Sequence, residues 1–203
     1  MASRNVLKID IPDSYYHVYA RGSNKMPIYI DDDDYEYFLT LLRRYLSQKE
    51  MKNQVGTPYV KLFNSVRLQC FCLMQNHFHL LLYQIEPGAM QRLMRGVMTS
   101  YSSYFNRKYD RSGPLFETRY KASRISSDDY FMHISRYIHL NPDKWETYQF
   151  SSIHAYAGQV QYDWLETKNI LAMFDTPTGY LEFVRDYKEI RDVYEDIKHE
   201  LAN

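Results

Sequence analysis

Four side chains stand out for the chemistry they could do together: His77, His79, Tyr137 and Asn141. His77 and His79 flank Phe78 in an apolar run that reads as a strand. Successive side chains on a strand point to opposite faces, so both imidazoles share one face with Leu81 and Tyr83. Phe78, Leu80 and Leu82 take the other face and can pack on helices. The two histidine Cα atoms then lie about 7 Å apart, near enough for both rings to converge on one cation. Tyr137 and Asn141 are spaced i and i+4, one helical turn apart on one face.

A tyrosine hydroxyl can attack a phosphodiester, and the resulting phosphotyrosine link stores the bond energy. A phenol with a pKa near 10 needs help to do so. A divalent cation gives it by polarising the phosphate and neutralising charge in the transition state. Two imidazoles leave such an ion under-coordinated, and a side-chain carbonyl such as that of Asn141 would add a ligand. Plainer readings stay open at this level. Two histidines can be ordinary residues of an exposed sheet face. Tyr137 can be one more core aromatic, in a chain with 21 tyrosines. Cys70 and Cys72 could join His77 and His79 as zinc ligands, although four side chains rising from one flat surface close a tetrahedron poorly.

The elements that must position these groups can be read along the chain. Residues 14–20 alternate and favour β structure. Asp31 to Asp34 opens a helix, with Tyr35, Phe38, Leu39, Leu42 and Tyr45 at helical spacing. Residues 66–74 and 77–83 read as strands joined by Gln75-Asn76 at hairpin length. A helix is expected over 90–109, and a basic β segment over 115–125. A second long helix is expected over 126–141, with Ser126 three residues before Asp129 as its start signal and Pro142 as its stop. Helical stretches follow at 151–158 and 181–201. The order β-α-β-β-α-β predicts an α+β, ferredoxin-like antiparallel sheet with helices on one face and the other face open. A nucleophile helix and a helical C-terminal tail are added to it. The expected division is a catalytic domain over 1–158 and a helical extension over 159–203.

Composition narrows the class. Apolar residues make up 45% of the 203, so a buried core is expected rather than disorder. No apolar run is long enough to span a bilayer, and no signal-peptide core is seen near Met1, so the expectation is a cytoplasmic protein with no membrane partner. Two cysteines one residue apart argue against a disulfide framework. Net charge is zero, but residues 92–124 carry eight Lys/Arg against two acids, and residues 163–200 carry ten acids against five bases. That split can still leave one face attractive to a polyanion.

Met74-Gln75-Asn76-His77-Phe78-His79-Leu80-Leu81-Leu82 closely resembles the metal motif of the single-tyrosine HUH transposases. Tyr137-Ile138-His139-Leu140-Asn141-Pro142 resembles the nucleophile helix of their REP-associated branch. Tyr16-His17-Val18, Arg21-Gly22, residues 113–121 (Gly-Pro-Leu-Phe-Glu-Thr-Arg-Tyr-Lys) and Ser151-Ser152 match in the same order, over about residues 14–158. Gln75 stands where Pro is common, and Phe116 where Trp is frequent. The resemblance implies cleavage and rejoining of single-stranded or hairpin DNA through a 5′-phosphotyrosine. It implies Tyr137 as nucleophile, His77, His79 and Asn141 as metal ligands, and Mg²⁺ or Mn²⁺ as the ion. A non-catalytic nucleic-acid-binding domain that kept the fold is the alternative.

Beside such a site Arg119, Lys121 and Arg124 would hold backbone phosphates, although Arg124 breaks strict alternation with the other two. Phe116 and Tyr120 could stack on bases. Arg21, after the first strand, is a further DNA-binding candidate. A solvated basic strand edge is the plainer reading of this segment. Action by a monomer on its own histidine pair and action in a helix-exchanging homodimer are both open, and the short connection from Thr118 to Asp129 favours the first.

Overall fold

The computed structural model describes residues 10–176 and 178–186. Four strands form one antiparallel sheet: β1 (Ser14–Arg21), β2 (Val66–Met74), β3 (His77–Gln84) and β4 (Lys121–Ile125), in the order β2-β3-β1-β4. Helix α1 (Asp32–Leu46) joins β1 to β2, and α2 (Ala89–Lys108) joins β3 to β4. This is the expected ferredoxin-like α+β arrangement. Helix α3 (Asp128–His139) follows β4, and three short helices end the described chain: α4 (Ile153–Tyr156), α5 (Lys168–Leu171) and α6 (Gly179–Arg185). Of the helix expected over 181–201, residues 187–201 lie outside the described residues.

Helix starts follow their capping chemistry. Asp31 caps α1 and forms a reciprocal capping box with Asp34. Lys108 and Tyr109 at the end of α2 also bond Asp34, so the buried carboxylate is fully partnered. At α3 the cap is Ser127, whose hydroxyl accepts from the Tyr130 N–H. That is one residue later than the Ser126–Asp129 signature suggested. The acids Asp128 and Asp129 fall in the first turn, where the helix dipole favours them.

Two apolar layers sandwich the sheet. On one side α1 and α2 bury Phe38, Leu41, Leu42, Leu93, Val97, Tyr101 and Phe105 against Val18, Phe71, Leu73, Phe78, Leu80 and Leu82. On the other side, Cys70, Cys72, Leu81 and Ile125 lie under Phe131, Ile134 and Ile138 of α3 and under Ile153, Tyr156, Ile170, Tyr180 and Val184. The expectation of an open second face is therefore corrected: α3 and the chain after it cover that face. The amphipathic stripe of α3 needs an apolar partner, and the sheet offers one.

A register shift between Leu68 and Cys70 decides which β2 residues face α3. Val66 and Leu68 point to the α1/α2 side. The extra residue at the bulge changes the phase, so Phe71 and Leu73 continue that side and Cys70 and Cys72 turn to the other.

The β segment expected over 115–125 is regular only from Lys121. Before it, Leu115 and Phe116 pair loosely with the chain after β1, through Ser23 N–H to Leu115 O at 2.9 Å and Glu117 N–H to Arg21 O at 2.9 Å. Gly22 sits at this crossing and donates to Asn76 O at 2.9 Å. A Cβ there would collide with the Met26 carbonyl and come within 2.8 Å of Ile28 Cγ2. Gly22→Ala should therefore force a backbone shift and cost about 1–3 kcal/mol. Denaturant unfolding checks this, and a variant as stable as the parent would contradict the close approach.

Candidate active site

β1 and β3 lie side by side at the centre of the sheet, with Tyr19 opposite His79 and Arg21 opposite His77. Tyr15, His17, Tyr19 and Arg21 alternate onto the face that carries the two histidines. On the other side of β1, Lys121 pairs with Tyr19 and so joins the same face. α3 lays Tyr137 across this row, its ring edge-on to His79 at 5.4 Å and to His17 at 5.8 Å between centroids. Tyr19, Arg21, His77, His79, Glu117, Thr118, Lys121, Tyr137 and Asn141 line a cleft of about 410 Å³. A second cleft of about 370 Å³, beside Arg67 and Trp164, holds none of these groups.

The proton positions in the cleft follow from its neighbours. Asn76 Nδ2 donates to Lys25 O at 3.1 Å, which turns its carbonyl toward His77. His77 Nδ1 lies 2.6 Å from that carbonyl oxygen and must therefore carry the proton. Burial pushes the His77 pKa down to about 4, with Asn141 opposing and Arg21 adding to the fall. The ring is then neutral near pH 7, and Nε2 presents a lone pair. Asn141 donates through Nδ2 to Tyr137 O at 3.2 Å, so its other end, Oδ1, faces His77 Nε2 at 3.4 Å. In that tautomer the two groups face one another as acceptors.

His79 is buried, and burial with the neighbouring histidines holds its pKa well below the ordinary value. Its Nδ1 meets His17 Nε2 at 2.9 Å. The His77 and His79 rings are perpendicular, with centroids 4.9 Å apart. Burial pushes the Tyr137 pKa up to about 12, with Asn141 opposing, so the phenol is protonated at neutral pH.

This donor set fits a hard-to-borderline divalent cation. Two ligands each about 2.1 Å from an octahedral ion, at right angles, stand about 3 Å apart, close to the 3.4 Å between His77 Nε2 and Asn141 Oδ1. Among the described residues no group of three or more His, Cys, Asp and Glu is set to hold a metal, so a cation at the two histidines would draw on the Asn141 carboxamide as well. The zinc set with the cysteines fares worse. Cys72 does pair with His79, but both thiols are buried in the apolar layer under α3, packed with Leu81, Ile134 and Ile138.

The other expected site residues divide. Arg21 and Lys121 line the cleft, Lys121 with its ammonium 5.8 Å from the Tyr19 ring centre. Arg119 is exposed in the turn before β4. Arg124 faces away from the cleft, as the alternation from Lys121 requires, and its Nε donates to Ser14 Oγ at 3.3 Å. Phe116 and Tyr120 are corrected as base-stacking candidates: both rings are buried in the α1/α2 core, Phe116 against Phe78 and Tyr101. Their apolar area is spent on the core, leaving no free face for a base. Asn141 is also not on the same helix as Tyr137, contrary to the helix expected over 126–141, because α3 ends at His139 with Leu140 as its cap. Sequence reasoning gave no role to His17, Tyr19, Glu117 or Thr118. The odd-numbered alternation of β1 was the signal for the first two, while Glu117 and Thr118 enter through an irregular loop that carries no period.

With this geometry in hand, the comparisons are direct. Residues 11–141 match the family model described as transposase IS200-like. The chain belongs to that transposase family. No curated protein matches it. Among solved structures it resembles a REP-associated tyrosine transposase bound to a REP hairpin, with 13% identity and a TM-score of 0.53, over 79% of this chain and 90% of the other. That likeness is one of fold. A candidate transposase from Deinococcus radiodurans matches at 14% identity and a TM-score of 0.40, over 68% of this chain and 95% of that one. No described helix is long and apolar enough to cross a membrane.

Burial of neutral imidazoles makes stability depend on pH. Burial pushes both His17 and His139 down to about 3, against about 6.5 in an unfolded chain. As pH falls between these values the unfolded state takes up protons first. The stabilisation is fully present above about 6.5 and is lost progressively toward 3. At pH 5 each histidine should cost about 2 kcal/mol relative to pH 7.5. Urea midpoints check this, and equal midpoints at the two pH values would contradict the burial.

Proposed function

We propose that this transposase is of the REP-associated, single-tyrosine kind, and that it cleaves and rejoins single-stranded or hairpin DNA within one chain. The observation that carries the metal-dependent reading is the pair of facing acceptors, His77 Nε2 and Asn141 Oδ1, at 3.4 Å. Two lone pairs at that distance repel unless a cation lies between them. His77, His79 and Asn141 would hold Mg²⁺ or Mn²⁺, which when bound polarises the scissile phosphate and neutralises its developing charge.

The chain's own groups do the rest. Arg21 and Lys121 hold the flanking phosphates. The Tyr137 hydroxyl oxygen attacks phosphorus and loses its proton. The bond to the 3′ oxygen breaks, that oxygen leaves as a hydroxyl, and the 5′ phosphate stays on Tyr137. Attack by a 3′ hydroxyl on the phosphotyrosine reverses the step and joins strands. A buried, protonated phenol is inert until substrate and ion arrive, which protects against idle cleavage. Tyr137 already lies against His79 of the same chain, which supports action without a partner subunit.

Incubation of labelled hairpin oligonucleotides with protein and Mn²⁺, followed by denaturing gels, tests this. The parent should give a covalent adduct and Tyr137→Phe none, with binding retained. The double variant His77→Ala, His79→Ala should fold yet lose cleavage. An adduct from the Phe variant would remove the nucleophile. Binding by the parent without cleavage of any hairpin would favour a non-catalytic binding domain. Lys121→Ala should weaken binding evenly across sequences and lower the salt slope by about one. Arg124→Ala, on the other face, should leave the slope unchanged.

A further inference from the structure

We propose that His17 is the positioning residue for His79, accepting a hydrogen bond from His79 Nδ1–H and so fixing the tautomer whose bare Nε2 can ligate the cation. The inference deepens the metal-dependent reading above and rests on it.

Its starting point is the 2.9 Å approach of His17 Nε2 to His79 Nδ1. Both rings are buried, at 1% and 3% exposure, and they stack on neighbouring strands with 19° between planes. Between two neutral imidazoles such a contact is a hydrogen bond in one direction only: one nitrogen donates and the other accepts. If His17 donated, His79 would hold its proton on Nε2 and could offer no lone pair to a metal. If His79 donates, its Nε2 is bare.

The neighbouring histidine shows the same device. His77 has its Nδ1 proton taken by the Asn76 carbonyl at 2.6 Å, which bares Nε2 toward Asn141. Asn76 serves the half-buried histidine from the β2–β3 turn. His17 serves the buried one from β1, where the register sets it beside Leu81 and one alternation from Tyr19, the partner of His79. A metal-binding imidazole whose second nitrogen has a fixed acceptor is oriented and more basic, and loss of such an acceptor commonly lowers metal affinity about 10–100-fold. Tyr137 touches both rings edge-on, so His17 also bounds the space in which the nucleophile sits.

Two measurements on the full chain test the assignment. Nitrogen NMR of metal-free protein, labelled on histidine, separates protonated from bare ring nitrogens. His79 should carry its proton on Nδ1, and a proton on Nε2 would overturn the proposal. Mn²⁺ titration followed by paramagnetic resonance, without DNA, gives the second reading. His17→Phe keeps the ring volume but cannot accept, and should bind Mn²⁺ about 10–100-fold more weakly. His17→Gln, whose carbonyl can accept from Nδ1–H, should recover most of that loss, which a purely structural role would not produce. Equal Mn²⁺ affinity in the parent and in a folded Phe variant would overturn the proposal alone. Failure of the parent to bind Mn²⁺ would remove the metal reading, and this inference with it.

Discussion

Everything at the cleft depends on how α3 is fixed to the sheet, and that rests on one buried chain of hydrogen bonds through His139. Phe71 N–H donates to Ser152 Oγ at 2.8 Å, and Ser152 Oγ meets His139 Nε2 at 2.7 Å. His139 Nδ1 meets the Tyr180 hydroxyl at 2.5 Å, Tyr180 donates to Ser135 Oγ at 3.2 Å, and Ser135 donates to Met132 O at 2.7 Å. The Met132 carbonyl can only accept, so Ser135 donates to it, Tyr180 donates to Ser135, and His139 Nδ1–H donates to Tyr180. The protons must therefore all run one way, with His139 neutral and protonated on Nδ1. The chain ties strand β2, the Ser151-Ser152 segment, α3 and α6 into one unit. A rotation of α3 that moved Tyr137 off the histidines would break bonds among buried groups that solvent does not reach.

The same unit gives the tail a physical role. Arg136 of α3 donates to Phe183 O at 2.8 Å and Asp186 O at 3.0 Å, carbonyls at the end of α6, and lies over the Phe183 ring at 3.8 Å. A guanidinium at a helix C-terminus answers both the bare carbonyls and the dipole. Trp164, earlier in the same stretch, stacks on Phe71 in the other core layer. The described part of the extension after residue 158 is thus packed on both faces of the sheet edge, and it holds α3 down from outside.

Much of this was legible in the sequence because period and capping are local. The strands at 66–74 and 77–84, the helices α1 and α2, and the shared face of His77 and His79 all follow from alternation and helical spacing. The covered second face was not legible. An amphipathic helix after β4 announces that it needs an apolar partner but does not name it, and the bulge that turns Cys70 and Cys72 toward α3 leaves no periodic mark. Phe116 and Tyr120 failed as stacking residues for a related reason. Aromatic side chains next to a basic segment look the same whether the loop turns them inward or outward, and here the pairing of Leu115 and Glu117 with the chain around Arg21 and Ser23 turns Phe116 inward.

The correction at Asn141 makes the site easier to understand. As an interior helical residue, its side chain would project along the helix and its backbone would be committed to the ladder. Pro142 prevents that by excluding the α conformation at the preceding residue. Released from the helix, Asn141 folds its carboxamide back. Nδ2 donates to the carbonyl of Tyr137 in the last turn of α3. That bond leaves Oδ1 pointing toward His77. A single side chain therefore closes the helix that carries the phenol and faces the imidazole opposite. The distance between the Tyr137 side chain and the His77 imidazole is set by a helix terminus, which has fewer ways to drift than two independent loops would have.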